Sequence, residues 1–318
     1  MRKVKLITAC LSLVLILGGI VLSIIYFSNK RNDAKVITTV FPIYDICREL
    51  LGDEEDVKML LDSGADLHSY EPNAQDIATL SKCELFIYIG GVSDERWVGG
   101  VIQSVKNVNM NTLSLMDCVE GVETNEDDII EEDEHHHHEH EEESDEHIWL
   151  SIKNMLKMTD AIKDKLIDVF PEKTAIIEIN YEKYINELNI LDSEYSKVCQ
   201  NSDKTIIVAD RFPFVYLTND YSIKYKALFS TCSTETEAST EAIAEMINQV
   251  NSANANYVII LENSSVDVAS SIIRGCENTS IEILRLNSCQ SIVASQISDM
   301  SYISIMKDNL EIFKKVLG

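Results

Sequence analysis

Short β-branched runs alternate with helical stretches on either side of one acidic, histidine-rich segment, and this alternation limits the fold of the 318-residue chain more than any other feature. Strands are expected at 35–40, 57–61 and 85–89, with helices at 43–51, 72–81 and 98–105. The pattern returns with strands at 205–209, 257–261 and 281–286 and helices at 238–250, 267–276 and 302–317. Strands separated by helices run parallel, and the helices cover the sheet on both faces. Between the two sets, apolar residues at helical spacing (Ile177, Tyr181, Tyr184, Leu188, Leu191 and Tyr195) mark the second of two long helices, 151–169 and 171–200. Pro171 suits a first helical turn, and some thirty residues at 1.5 Å each give a rod of roughly 45 Å.

The chain is also longer than one hydrophobic core usually serves. The expected fold is therefore α/β: two lobes with parallel sheets flanked by helices, joined by one long rigid linker helix. The expected division is 1–33 for an N-terminal signal or anchor and 34–150 for the first lobe, including an acidic loop at 120–146. Helices including the linker fill 151–200, and the second lobe fills 201–318.

Arg2, Lys3 and Lys5 precede an unbroken apolar or small stretch, 6–27, followed by Lys30 and Arg31. Its 22 residues exceed the roughly 20 that a membrane-spanning helix needs. The preceding positive charge keeps the N-terminus in the cytoplasm. Ile7-Thr8-Ala9-Cys10 matches a bacterial lipoprotein processing pattern, but Cys10 stands before most of the apolar stretch instead of after it. An uncleaved anchor is the expectation, with a lipid at Cys10 as the alternative; either displays the rest of the chain outside the cytoplasm.

All seven histidines lie between positions 68 and 147. His135, His136, His137, His138 and His140 crowd into the run Glu131 to Glu143, where every other residue is acidic. Residues 120–147 hold fifteen Asp or Glu and no Lys or Arg, more than half of the net charge of −26. Nucleic acid is excluded as a partner, because phosphate binding needs clustered Lys and Arg. A charge run by itself reads as a solvated segment. Imidazoles interleaved with carboxylates read instead as ligands for a first-row divalent metal.

Three ordered-looking segments place a further metal donor beyond a strand or at a helix entry, where ligands gather in parallel α/β sheets. They are His68 in Gly64 to Pro72, His147 in Asp145 to Leu150, and Asp210 in Val208 to Phe212. Each has a plainer alternative: an exposed turn histidine, a structural histidine, a helix cap or a partner for Arg211. The cysteines show no zinc-type spacing. Cys47, Cys83 and Cys199 sit in apolar patterns as small buried side chains, and export would permit a disulfide such as Cys276–Cys289.

Several segments carry a family resemblance. They are Phe41-Pro42-Ile43-Tyr44-Asp45, Gly64 to Pro72 continued by Asp76-Ile77-Ala78, Leu85-Phe86-Ile87-Tyr88, the histidine-rich insertion followed by His147-Ile148-Trp149-Leu150, and Ser233 to Ser239. From about residue 35 to its end, the chain resembles the metal-binding receptors of bacterial ABC importers for zinc and manganese. The resemblance implies that His68 and His147 are ligands from the first lobe. It sets Asp210 where zinc members usually carry His and manganese members Glu. The family's fourth position follows the strand at 281–286, where this chain has Asn287, a weak zinc ligand; Glu235 is the substitute candidate, or water completes the shell.

Zinc is the expected cargo, with manganese possible, and a membrane permease of the ABC type is the expected partner of a monomeric receptor that is not an enzyme. An exported zinc hydrolase is the competing class, since two His and an Asp can hold a catalytic zinc. No H-E-x-x-H or G-x-S-x-G motif supports it. A surface adhesin or metal buffer of the same fold is the third reading.

Overall fold

The computed structural model describes residues 34–52, 56–61, 67–105, 110–122, 126–131, 144–200, 202–231, 238–290, 292 and 294–318. The apolar N-terminal segment, the five clustered histidines and Glu235 lie outside the described residues. No helix among the described residues is long and apolar enough to cross a membrane.

The first sheet is parallel throughout, in the order β2-β1-β3-β4, with β1 Val36–Thr38, β2 Val57–Met59, β3 Leu85–Tyr88 and β4 Asn111–Ser114. Helix α1, Phe41–Leu51, follows β1 with Pro42 in its first turn, where a missing N–H costs nothing. It stops at Gly52, whose φ of 66° is the left-handed conformation that glycine adopts most easily. Phe41, Ile43, Ile46 and Leu50 are buried almost completely, each contributing roughly 1.5–3 kcal/mol. Helices α2 (Ala74–Leu80) and α3 (Val92–Ser104) complete this lobe. Asn73 caps α2 by accepting from Gln75 and Asp76, while Asp76 returns a bond to the Asn73 N–H.

Two helices, α4 (Ile152–Val169) and α5 (Thr174–Cys199), lie in the chain between β5, Ile129–Glu131, and β6, Thr205–Arg211. Helix α5 has 26 residues and spans about 39 Å at the standard rise; a 3-10 turn at Pro171–Lys173 shortens the expected rod. Near its start, Asn180 donates to the Leu50 carbonyl of α1 at 3.1 Å. Near its end, the Tyr195 hydroxyl donates to the Met306 carbonyl of the closing helix at 2.7 Å.

The second sheet is also parallel, in the order β5-β7-β6-β8-β9. Its strands are β5 Ile129–Glu131, β6 Thr205–Arg211, β7 Lys224–Phe229, β8 Tyr257–Leu261 and β9 Glu282–Leu286, with helices α6 Val215–Tyr221, α7 Thr240–Ser252, α8 Asp267–Gly275 and α9 Tyr302–Leu317. Along β6 the side chains alternate between faces. Ile206 and Val208 join the large core shared with the first sheet, α1, α5 and α9. Ile207 and Ala209 join a smaller core with Met246 of α7 and Ile272 of α8.

Edge strand β5 departs from the sequence reading, in which the whole of 120–146 was a loop. The chain leaves the first sheet after β4, pairs Ile129 with Ala227 and Glu131 with Phe229 of β7, and only then continues into the acidic histidine run. Lys226 holds this strand by donating to the Asp127 carbonyl and pairing with Asp128 at 2.8 Å. Glu131 accepts from the Ser239 N–H at the entrance of α7, at 2.8 Å.

A buried ion pair ties α1 to the start of α9. Arg48 lies 2.8 Å from Asp45 and donates to the carbonyls of Ile297 and Met300, while Asp45 accepts from the Tyr302 N–H at 2.8 Å. Burial pushes the Asp45 carboxyl up to about 6, against the lowering effect of Arg48. Cys47, Cys83 and Cys199 are buried as expected. The disulfide that export would permit between Cys276 and Cys289 is not formed: both are free thiols, packed separately in the smaller and the larger core respectively.

Candidate metal site

A cavity of about 340 Å³ is lined by His68 and His147 together with Asp210, Arg211, Glu262 and Gln290, among others. Three of the four expected cleft residues therefore share one cavity, and the fourth, Glu235, is outside the described residues. The imidazole rings of His68 and His147 are 5.2 Å apart between centroids. Among the described residues no three His, Cys, Asp or Glu side chains stand close enough together to hold one ion. Two imidazoles thus lie near each other, and the carboxylates of Asp210 and Glu262 line the same cavity.

His147 lies just before the 3-10 turn Ile148–Leu150, with its ring 5.0 Å from that of Trp149. Asp145 Oδ1 accepts from the His147 backbone N–H at 2.7 Å and meets ring Nδ1 at 3.0 Å. The Tyr216 hydroxyl in turn donates to the Asp145 carbonyl at 2.7 Å. On the other side of the ring, Nε2 is 3.0 Å from Gln290 Oε1. Burial works against a charge on His147, but Asp145 and the two side-chain hydrogen bonds prevail and raise its pKa above the ordinary value.

His68 sits on the 3-10 turn Leu67–Ser69. Its Nδ1 is 3.1 Å from Ser93 Oγ and 3.3 Å from Glu146 Oε2. Glu146 is itself held by the Ser93 hydroxyl at 2.5 Å and the Ser93 N–H at 2.6 Å. Burial opposes its ionisation, yet the bonds from His68 and Ser93 hold its pKa below the ordinary value. The adjacent carboxylates of Asp145 and Glu146 thus serve different imidazoles, each at Nδ1, the arrangement that orients metal-binding histidines.

Asp210 reaches the cleft through an irregularity in β6. Val208 pairs with Ala227 and Arg211 with Phe229, so β6 carries one residue more than β7 over this interval. Such a bulge re-aims the side chains it displaces. Asp210 Oδ2 accepts from the Leu261 N–H of β8 at 3.0 Å, and Oδ1 from the Arg211 N–H at 2.8 Å. The strand order reverses direction between β6 and β8, the point at which open parallel sheets present their ligands.

Asn287, which stands at the position the resemblance marks for a fourth ligand, is held away from the cavity. Its side chain accepts from the Cys289 N–H at 2.8 Å, its backbone is bonded on both sides by Asn309, and it does not line the cavity. Two residues later the chain turns at Cys289, with φ 60°, and carries Gln290 to His147. Glu262, just beyond β8, is a second carboxylate that sequence reasoning missed; it accepts from the Ser288 N–H and hydroxyl at 3.0 and 2.7 Å. Its position after a strand end was the available signal.

Two parallel sheets facing a cleft with histidine on one wall and carboxylate on the other define an α/β protein with a metal-donor cleft. Residues 36–316 match the family described as zinc-uptake complex component A, periplasmic (ZnuA), and the chain belongs to that family. It is 27% identical over 322 residues to the zinc-binding lipoprotein AdcA of Streptococcus pneumoniae, covering 99% of this chain and 61% of that protein. It is 28% identical over 293 residues to the high-affinity zinc uptake system protein ZnuA of Bacillus subtilis, covering 91% of this chain and 89% of that protein. The Zn(II)-bound ZnuA-like domain of S. pneumoniae AdcA superposes with a TM-score of 0.72 at 25% identity, over 89% of this chain and 98% of that domain. The chain thus spans less than two thirds of the AdcA proteins it matches.

Proposed function

We propose that the chain is an extracytoplasmic receptor that takes one divalent cation, zinc before manganese, into the interlobe cleft and delivers it to an ABC permease. The convergence of His68, His147 and Asp210 on one cavity carries this reading. His68 and His147 supply imidazole nitrogens from one lobe, and Asp210 supplies oxygen from the other. Gln290 or Glu262 completes the shell, with Glu235 a further candidate. Zinc prefers four such donors at about 2.0–2.2 Å, and intrinsic affinity at a nitrogen–oxygen site favours it over manganese.

Because the donors stand on both walls, the cation draws the lobes together by binding the closed form more tightly. The shared core and α5 keep that motion small. The apolar run at 6–27 tethers the protein to the membrane, in keeping with the lipoprotein name of the AdcA relative. His135, His136, His137, His138 and His140 act as an auxiliary collector that raises the local metal concentration.

Metal content and zinc–manganese competition, measured on the wild type and on His68→Ala, His147→Ala and Asp210→Ala, test the reading. Each variant is expected to lose the tight site while the histidine run still binds weakly. Tight binding that survives in all three would exclude it.

A further inference from the structure

Glu146 is placed to do more than fill space beside a ligand. Helix α3 begins after Gly91, which has no side chain to cap it. Glu146, far along the chain, supplies the cap by accepting from the Ser93 N–H. Its carboxylate lies so close over Gly91 that a Cβ there would come within 2.5 Å of Oε1 and 2.7 Å of Cγ. Gly91 is extended, with φ −159°, so contact with Glu146 and not backbone strain is what a larger residue would meet.

The hydrogen bonds have one consistent direction. The Ser93 hydroxyl carries a single proton and gives it to Glu146 Oε2 at 2.5 Å. The remaining 3.1 Å contact between Ser93 Oγ and His68 must then be a bond donated by Nδ1–H. Glu146 Oε2, 3.3 Å from the same nitrogen, draws that proton the same way. With Nδ1 protonated, the basic lone pair of His68 resides on Nε2.

We propose that Glu146, acting through Ser93, is a positioning residue that sets the tautomer and orientation of His68 for cation binding. The proposal rests on the reading of His68 as a ligand, but its hydrogen-bond relay can be read without metal. A glutamine at 146 keeps an oxygen for the Ser93 N–H and so keeps the helix cap. Its amide can also donate, which lets the relay run backwards and place the ring proton on Nε2.

The test is Glu146→Gln, with Ser93→Ala and Gly91→Ala as independent ways to disturb the relay. Ring ¹⁵N spectra of the metal-free protein report the His68 tautomer, zinc competition reports affinity, and thermal melting reports the cap. Glu146→Gln is expected to melt near the wild type, to lose the predominance of the Nδ1–H form, and to bind zinc about tenfold more weakly. Gly91→Ala should weaken binding in the wild-type background and change nothing further when Glu146 is already Ala. An unaltered His68 tautomer with wild-type affinity in Glu146→Gln overturns the proposal. Wild-type affinity in His68→Ala overturns the ligand reading instead, and the ring spectrum then decides the relay alone.

Discussion

Trp149 Nε1 donates to the Ser288 carbonyl at 2.8 Å, and the residues two positions away on each side, His147 and Gln290, meet at 3.0 Å. One buried bond therefore sets the distance between the His147 imidazole and the segment after β9 that faces it. Trp149 is fully buried and its own carbonyl accepts from the Tyr302 hydroxyl at 2.8 Å. Relaxing this junction should loosen the site as well as the fold.

Trp149→Phe keeps most of the apolar surface and removes the indole donor. Leaving the Ser288 carbonyl without that bond is expected to cost about 1–3 kcal/mol in urea unfolding. Zinc affinity should fall as well, read by competition with a chromophoric chelator. Unchanged affinity in a clearly destabilised variant would separate the junction from the site.

Gln290 offers a direct test of the fourth position. Gln290→Glu puts a carboxylate where an amide oxygen now meets His147 and is expected to tighten zinc binding by roughly tenfold, since zinc favours anionic oxygen over a neutral amide. Gln290→Ala should weaken it, and Asn287→Ala should leave affinity alone while costing stability. Titration of the three variants side by side decides which residue faces the cation.

The Asp45 carboxyl predicts a pH signature in stability. Its folded pKa is raised from 3.8 to about 6, first by burial, so its contribution is fully present below 3.8 and is lost as pH rises through 6. The shift corresponds to a loss on the order of 3 kcal/mol. Asp45→Asn lacks this term. The stability of the variant relative to the wild type should therefore improve between pH 4 and 6.5, measured by denaturant unfolding; a constant difference would refute the assignment.

Removing residues 132–143 spares both feet of the histidine run: Glu131 on the entrance of α7, and Asp145 beside His147. Cleft affinity is expected to stay within about twofold, because the orienting carboxylates remain. Metal capture at limiting concentration should slow. Equal uptake by wild type and deletion under zinc starvation would remove the collector role.

Much of the fold was legible because strand–helix alternation forces parallel sheets, and the long apolar stripe on α5 could only be a buried helix. Strands β4, β5 and β7 and helix α6 were not read. Asn111–Ser114 is only half buried, and three residues of β5 lie within a polar run, so neither shows the apolar signature that marks a central strand. Of the site, His68, His147 and Asp210 were visible as donors beside strand and helix ends. The resemblance pointed to Asn287, the residue that follows β9, and only the turn at Cys289 brings Gln290 to the cleft.

Composition and periodicity alone determined that the chain builds parallel α/β lobes and concentrates its imidazoles before residue 148, because residue type and spacing are local properties. Tertiary structure decided which polar groups meet. Glu146 reaches Ser93 across 53 positions, and the β6 bulge turns Asp210 toward β8. Such pairings depend on where the backbone returns in space, and no local pattern of residues encodes that return.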